Sequence, residues 1–327
     1  MTMLAAAFGC AIVASMLPGN AYQRWQLLDG TIQANARWIY ERCRFDPTPI
    51  DVVFLGPSRM QAGVDAPRLG EALNARGLPA NVVNFSLPEA GRNINFAIAK
   101  EMFAYKQPKL VILGVTEKPS RFGHPAFKYV ADRASIADPG FVGDLNYFSD
   151  LAYLPYREMR LFAADLLPEG AGLAEEFDAA NYRGPSIDTT GSIVLPDGKI
   201  KEGETPASAA ELARGVKKLE AGMHPPLLPS RLADLEFGDE RFYVRQIADL
   251  AKEHGAQVAF LFLPYYTGPH DVQEIQFYRQ FGPLINASFL ATHAEWFADY
   301  GHLTRGGAHI LTDWLIEPVA ALLKPAG

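Results

Sequence analysis

Four apolar runs of strand length, at residues 50–55, 81–86, 109–115 and 257–263, constrain the fold of this chain more than anything else in it. From Leu110 to Val115 no polar side chain interrupts the run, which is the pattern of a strand covered on both faces. Helical periodicity fills 65–76, 92–105 and 241–254, with Gly255 placed to cap the last of these, and returns at 305–323. Strands that alternate with helices pair in parallel through right-handed crossovers. The expected fold is therefore α/β, a doubly wound parallel sheet. Residues 272–286 read as a further helix, and a short fifth strand is expected near Phe289.

The alternation lapses between about 119 and 238, a gap too long for a structureless loop in a compact domain. It contains an apolar stretch at 148–167, a hairpin pattern in which 191–195 meets 199–201 across Pro196-Asp197-Gly198, and a short helical pattern around 207–221. The expected division is residues 1–49 as apolar leader and connecting helix, 50–118 with 239–327 as the α/β domain, and 119–238 as an inserted lid or subdomain. A chain of 327 residues, 49% of them hydrophobic, is long enough to bury a core of that size.

The first apolar run breaks at Gly56-Pro57 and presents Ser58. A serine at the carboxyl end of a parallel strand stands at the rim of the sheet, where α/β proteins place their chemistry, and a tight strand-to-helix turn exposes its hydroxyl. That hydroxyl needs a base, and a histidine base needs a carboxylate on its other nitrogen. Asp299 and His302 supply both from one loop, just ahead of the last helical pattern.

In these blocks the chain resembles the SGNH hydrolases, also called the GDSL family. Gly56-Pro57-Ser58 stands where that family has Gly-Asp-Ser, and Asp299-Tyr300-Gly301-His302 resembles its closing Asp-x-x-His block. The segment from Asn84 to Gly91 is similar to the one that supplies an oxyanion-hole amide, which points to Glu89, Ala90 and Gly91. Gly114-Val115-Thr116-Glu117 falls where the family has Gly-x-Asn-Asp, with Thr116 in place of the asparagine and Pro57 in place of the aspartate before the nucleophile. The resemblance covers roughly 50–125 and 240–323. It implies a flavodoxin-like sheet and acyl transfer through a Ser58–His302–Asp299 triad. More narrowly the chain resembles membrane-associated members linked to acylation of envelope polysaccharides. That implies an O-acetyltransferase or acetylesterase, an acylated carbohydrate or other acyl donor as substrate, and a membrane acyltransferase as partner. The alternative is a degenerate SGNH domain that binds glycan or scaffolds such a partner.

Beyond the third strand, Glu117, Arg121 and His124 face the same rim, either toward substrate or as a polar network ordering the segment that follows. Tyr265 and Tyr266 either line the cleft or pack. His224, His254, His270 and His293 have no partner pattern, and His309 reads as structural.

Residues 3–17 form an uncharged apolar run that ends at Pro18, shorter than the roughly 20 residues that span a bilayer and closer to a signal-peptide core. Arg24, Arg37, Arg42 and Arg44 follow it, which taken alone would keep the body cytoplasmic. The family resemblance points outward, and the expectation is a cell-envelope protein, anchored through this segment or exported, with the periplasmic side favoured. A net charge of −7 leaves no basic surplus for nucleic acid. The two cysteines, Cys10 and Cys43, form no evident pair, and no Cys/His spacing suits a metal. No glycine-rich phosphate loop follows a strand, so no cofactor is expected.

Overall fold

The structure, a computed structural model, describes residues 2–138, 144–167, 170, 172–194 and 199–324. Helices α1 (Thr2–Ser15), α2 (Ala21–Gln26) and α3 (Asn35–Arg44) lead into β1 (Val52–Leu55), α4 (Ser58–Gly63), α5 (Ala66–Asn74), β2 (Val82–Asn84), α6 (Arg92–Phe103) and β3 (Leu110–Val115). Next come α7 (Phe127–Val130), α8 (Arg133–Ala137), α9 (Tyr147–Leu166), the hairpin strands β4 (Ser192–Val194) and β5 (Ile200–Glu202), and α10 (Ala209–Gly222). The chain then forms α11 (Ala233–Glu236), α12 (Gly238–Glu253), β6 (Gln257–Phe262), α13 (Ile275–Tyr278), β7 (Leu284–Asn286) and α14 (Arg305–Leu323).

Five strands pair in parallel in the order β2-β1-β3-β6-β7, flanked by helices on both faces, an arrangement consistent with a flavodoxin-like fold. Side-chain alternation divides the core. Val53, Leu55, Val111, Leu113, Phe260 and Phe262 meet α3, α6 and α12, while Val52, Phe54, Ile112, Ala259 and Leu261 meet α5 and α14. The winding reverses between β1 and β3, so a crevice opens at their carboxyl ends, where ligands bind in sheets of this kind.

Three expectations need correction. Residues 272–286 are not one helix: α13 makes a single turn, and Gly282-Pro283 then stops it. Proline cannot continue a helix, and a Cβ on Gly282 would lie 2.0 Å from the Val258 carbonyl oxygen, an approach only glycine permits. The fifth strand is accordingly Leu284–Asn286, and Phe289 lies in a short 3-10 turn. Residues 21–44 are likewise two helices, separated where Gly30 takes φ +75°. Both lie against the sheet, with Trp25 and Trp38 almost wholly buried.

The segment from 126 to 166 packs α7 and α8 on α9, and α9 on α1. Residues 174–190 run beside α2 and α3, where the Gly184 carbonyl accepts from Trp38 Nε1 and the Pro185 carbonyl from Arg42 Nε. The expected hairpin strands pair antiparallel, Ser192 opposite Glu202, whereas its turn at 195–198 lies outside the described residues. Among the described residues no helix is long and apolar enough to cross a membrane. Phe8, Ile12, Val13 and Met16 at α1 and Phe148, Leu151, Met159 and Leu166 on α9 are nevertheless exposed. The two cysteines are free.

Candidate active site

Ser58 is the first residue of α4, three residues after the last of the four buried positions of β1. The turn is built around two glycines, Gly56 just past β1 and Gly114 on the neighbouring β3. A Cβ on Gly56 would press on Met60 Cβ at 3.0 Å and on Gly114 Cα at 3.3 Å, so side chains here would push α4 off the sheet rim. The far end of α4 is held by Asn84 at the end of β2, whose Nδ2 donates to the Met60 and Val64 carbonyls, each at 3.0 Å. Asn84 is thus a cap for the helix that carries Ser58, supplying partners for carbonyls that a helix end leaves open.

His302 comes to Ser58 on the loop between β7 and α14. That loop is closed by its own hydrogen bonds: the Ala298 amide donates to the His302 carbonyl, and the Thr304 amide to that of Trp296. Thr304 then caps α14 by accepting from the Gly307 amide. The imidazole Nε2 lies 2.8 Å from Ser58 Oγ, and Nδ1 lies 2.9 and 3.0 Å from the two oxygens of Asp299. A carboxylate can only accept, so Nδ1 carries the proton and Nε2 is left to receive the serine's. Burial alone would raise the Asp299 carboxyl. The His302 ring and the amides of Gly301 and His302 outweigh it and hold the pKa at about 2. Ser58, Asp299 and His302 are all partly exposed, so the site opens to solvent.

The other expected residues take varied places. Glu89 and Ala90 are exposed on the turn after β2; Glu89 has φ 80°, and its carboxylate accepts from Gln33 Nε2 at 2.8 Å. Gly91, at φ 140°, begins α6, and a Cβ there would fall 2.0 Å from the His124 amide nitrogen. Pro57, Gly91, Thr116 and Asn95 line one small cleft. Thr116 donates its hydroxyl proton to the Lys118 carbonyl at 2.8 Å, so that proton is spent within its own turn.

His124 is buried, with Nε2 2.6 Å from the Pro88 carbonyl and Nδ1 accepting from the Ala126 amide. Desolvation lowers its pKa to about 4 despite the Pro88 bond, and the neutral ring pins the 88–91 turn. Glu117 is committed to Arg59, and Arg121 to Glu236. Of the two alternatives for this cluster, these contacts describe the polar network. Tyr265 packs on Arg59 and Tyr300, while Tyr266 lines a separate apolar pocket with Leu212 and Val216 of α10.

Sequence reasoning passed over Arg59 and Asp239. Arg59 follows Ser58 directly, and its partner Glu117 lies two residues beyond the neighbouring strand β3, so opposite charges just past adjacent strand ends were the available signal. Asp239 accepts from the amides of Arg92 and Asn93 and so caps α6 from 146 or more residues away, which no local pattern announces.

Among the described residues no cluster of His, Cys, Asp or Glu is arranged to hold a metal ion. No protein-family model matches this chain, and no curated protein is significantly similar to it.

Proposed function

We propose that this protein is a serine acyl-transfer enzyme of the SGNH type, acting as an O-acetyltransferase or acetylesterase on a cell-envelope polysaccharide. The observation that carries this reading is the continuous Ser58–His302–Asp299 hydrogen-bond chain at the switch point of the sheet. Ser58 Oγ attacks the ester carbonyl carbon while His302 Nε2 takes its proton. The carbon–oxygen bond to the leaving alcohol then breaks, and His302 returns that proton to the departing oxygen. An incoming hydroxyl, from sugar or water, attacks the acyl carbon and gives its proton to His302; the bond from that carbon to Ser58 Oγ then breaks, and His302 returns the proton to Ser58. The amides of Ser58 and of the 89–91 turn are the donors assigned to the oxyanion; losing one such donor typically slows catalysis by about 10²–10³.

The exposed apolar side chains of α1 and α9 support a place at the envelope membrane, beside an acyltransferase that would provide acyl groups. A second reading, a glycan-binding or scaffolding SGNH domain without turnover, draws on Thr116, which stands at the position of the family's asparagine and whose hydroxyl proton goes to the Lys118 carbonyl. One experiment separates these readings. The full-length protein is given an activated acetyl ester with and without envelope oligosaccharide, and free acetate and acetylated sugar are counted separately. Acetylated sugar that depends on Ser58 supports the transferase, and Ser58-dependent acetate alone leaves an esterase. Neither product above the Ser58→Ala background leaves the binding domain.

A further inference from the structure

The hydrogen bonds inside the 298–304 loop fix His302 to Asp299, but they do not fix either to Ser58. Besides the 2.8 Å contact itself and the apolar packing of α4 on α14, the register of these two separate elements, α4 and this loop, has a polar support. We propose that Arg59 is a positioning residue: clamped by Glu117 and stacked on Tyr265, it locks the His302 loop to the helix that begins with Ser58.

The contacts run without a break. Arg59 and Glu117 are 5% and 4% exposed, and Nη1 and Nη2 meet Oε1 and Oε2 at 2.9 and 2.8 Å. Nη1 also donates to the Leu263 carbonyl, and Glu117 Oε1 accepts from the Tyr265 amide at 3.0 Å, so the segments just past β3 and β6 grip the same guanidinium. The guanidinium carbon lies 3.9 Å from the centre of the Tyr265 ring. Tyr265 stacks on Tyr300, with centroids 5.4 Å apart and planes 13° from parallel. Tyr300 stands between Asp299 and Gly301, its carbonyl accepts from the Tyr266 amide at 2.8 Å, and a Cβ on Gly301 would come within 2.9 Å of the Tyr265 ring. Gly215 of α10 presses on Tyr300 so closely that a Cβ there would lie 2.4 Å from the ring.

A buried ion pair is weak evidence for stability, because desolvation offsets much of its attraction. Its better-attested use is to fix register, and a bidentate guanidinium stacked on an aromatic face is more orienting than a lysine would be. Here the register it fixes is that of nucleophile against base. The kinetic consequence rests on the acyl-transfer reading; the structural consequence does not.

The test uses the full-length chain and three measurements: amide hydrogen exchange across 298–304, the rate of Ser58 labelling by a fluorophosphonate, and the low-field proton signal of His302 Nδ1. Because Arg59→Met alone would strand a buried carboxylate, it is combined with Glu117→Met. Tyr265→Leu removes the aromatic plate and leaves the ion pair in place.

Both variants are expected to speed exchange across the loop by about 10-fold or more and to slow labelling by about 10–100-fold, since displacement by roughly 1 Å can cost about that much. The low-field signal should persist, because Asp299 travels with His302, and Tyr265→Phe should recover most of what Tyr265→Leu loses. Exchange and labelling within about twofold of wild type in both variants would overturn the proposal, as would loss of the low-field signal together with cooperative folding. Wild type that never labels would end the acyl-transfer reading, while the exchange comparison would still decide the positioning.

Discussion

Asp299 Oδ1 is shared among three groups, the His302 ring and the amides of Gly301 and His302, which places the carboxylate squarely under Nδ1. An asparagine keeps the size of this side chain but offers an NH₂ that can donate where the ring also donates, so the neutral imidazole is driven to the tautomer with its proton on Nε2. Asp299→Asn is therefore expected to lower kcat by about 10³–10⁴ with little change in KM, as in triads generally, measured on an activated acetyl ester. The three residue types and their order along the chain were legible because each sits in a short block beside a strand end or a helix start. Arg59 and Glu117 were less so, since a pair 58 residues apart meets only once β1 and β3 are known to be neighbours. For Thr116 and His124, sequence reasoning supplied a place after a strand end but not their partners, which are the Lys118 and Pro88 carbonyls.

At the level of elements, three buried acids lie near one another: Asp150 on α9, Asp144 just ahead of it and Asp239 on α12. Asp150 on α9 is 3% exposed, and desolvation, with Asp144 adding to it, raises its pKa to about 7; burial also raises Asp144 and Asp239. Lys128 opposes the shift on Asp150 without cancelling it. The folded state then holds a proton that the unfolded chain releases near pH 4. The neutral carboxyl thus contributes stability that is complete below about pH 4 and is lost as pH rises through about 7. Asp150→Asn, which cannot ionise, should gain on wild type by on the order of 2–4 kcal/mol between pH 4 and 8, read from urea unfolding at the two ends. A constant difference across that range would remove the acid group from the account. The sheet itself was readable from its uninterrupted apolar strands. Residues 272–286 were not, because a helix-like spacing of Val272, Ile275 and Phe277 runs on into a strand after Gly282-Pro283, and periodicity over so few residues does not separate the two.

Over the whole molecule, α2 and α3 are part of the core. Tyr22, Trp25, Trp38 and Ile39 cover one face of the sheet together with Phe85 and Ile98, and each tryptophan removed should cost about 3–5 kcal/mol. Deleting residues 1–43 should abolish cooperative thermal unfolding, whereas deleting 1–18 should preserve it, a difference that scanning calorimetry records directly. In the sequence, 1–49 reads as leader and connecting helix, and what it does not disclose is that Trp25 and Trp38 lie on the sheet. The account as a whole stands on Ser58 being a nucleophile activated by His302. Its most direct measurement is mass spectrometry of the intact protein after exposure to a fluorophosphonate, followed by peptide mapping. One adduct per chain is expected, located on Ser58, absent in Ser58→Ala and slowed by about 10³-fold or more in His302→Ala. An unmodified chain, or an adduct equally abundant in all three proteins, would contradict it.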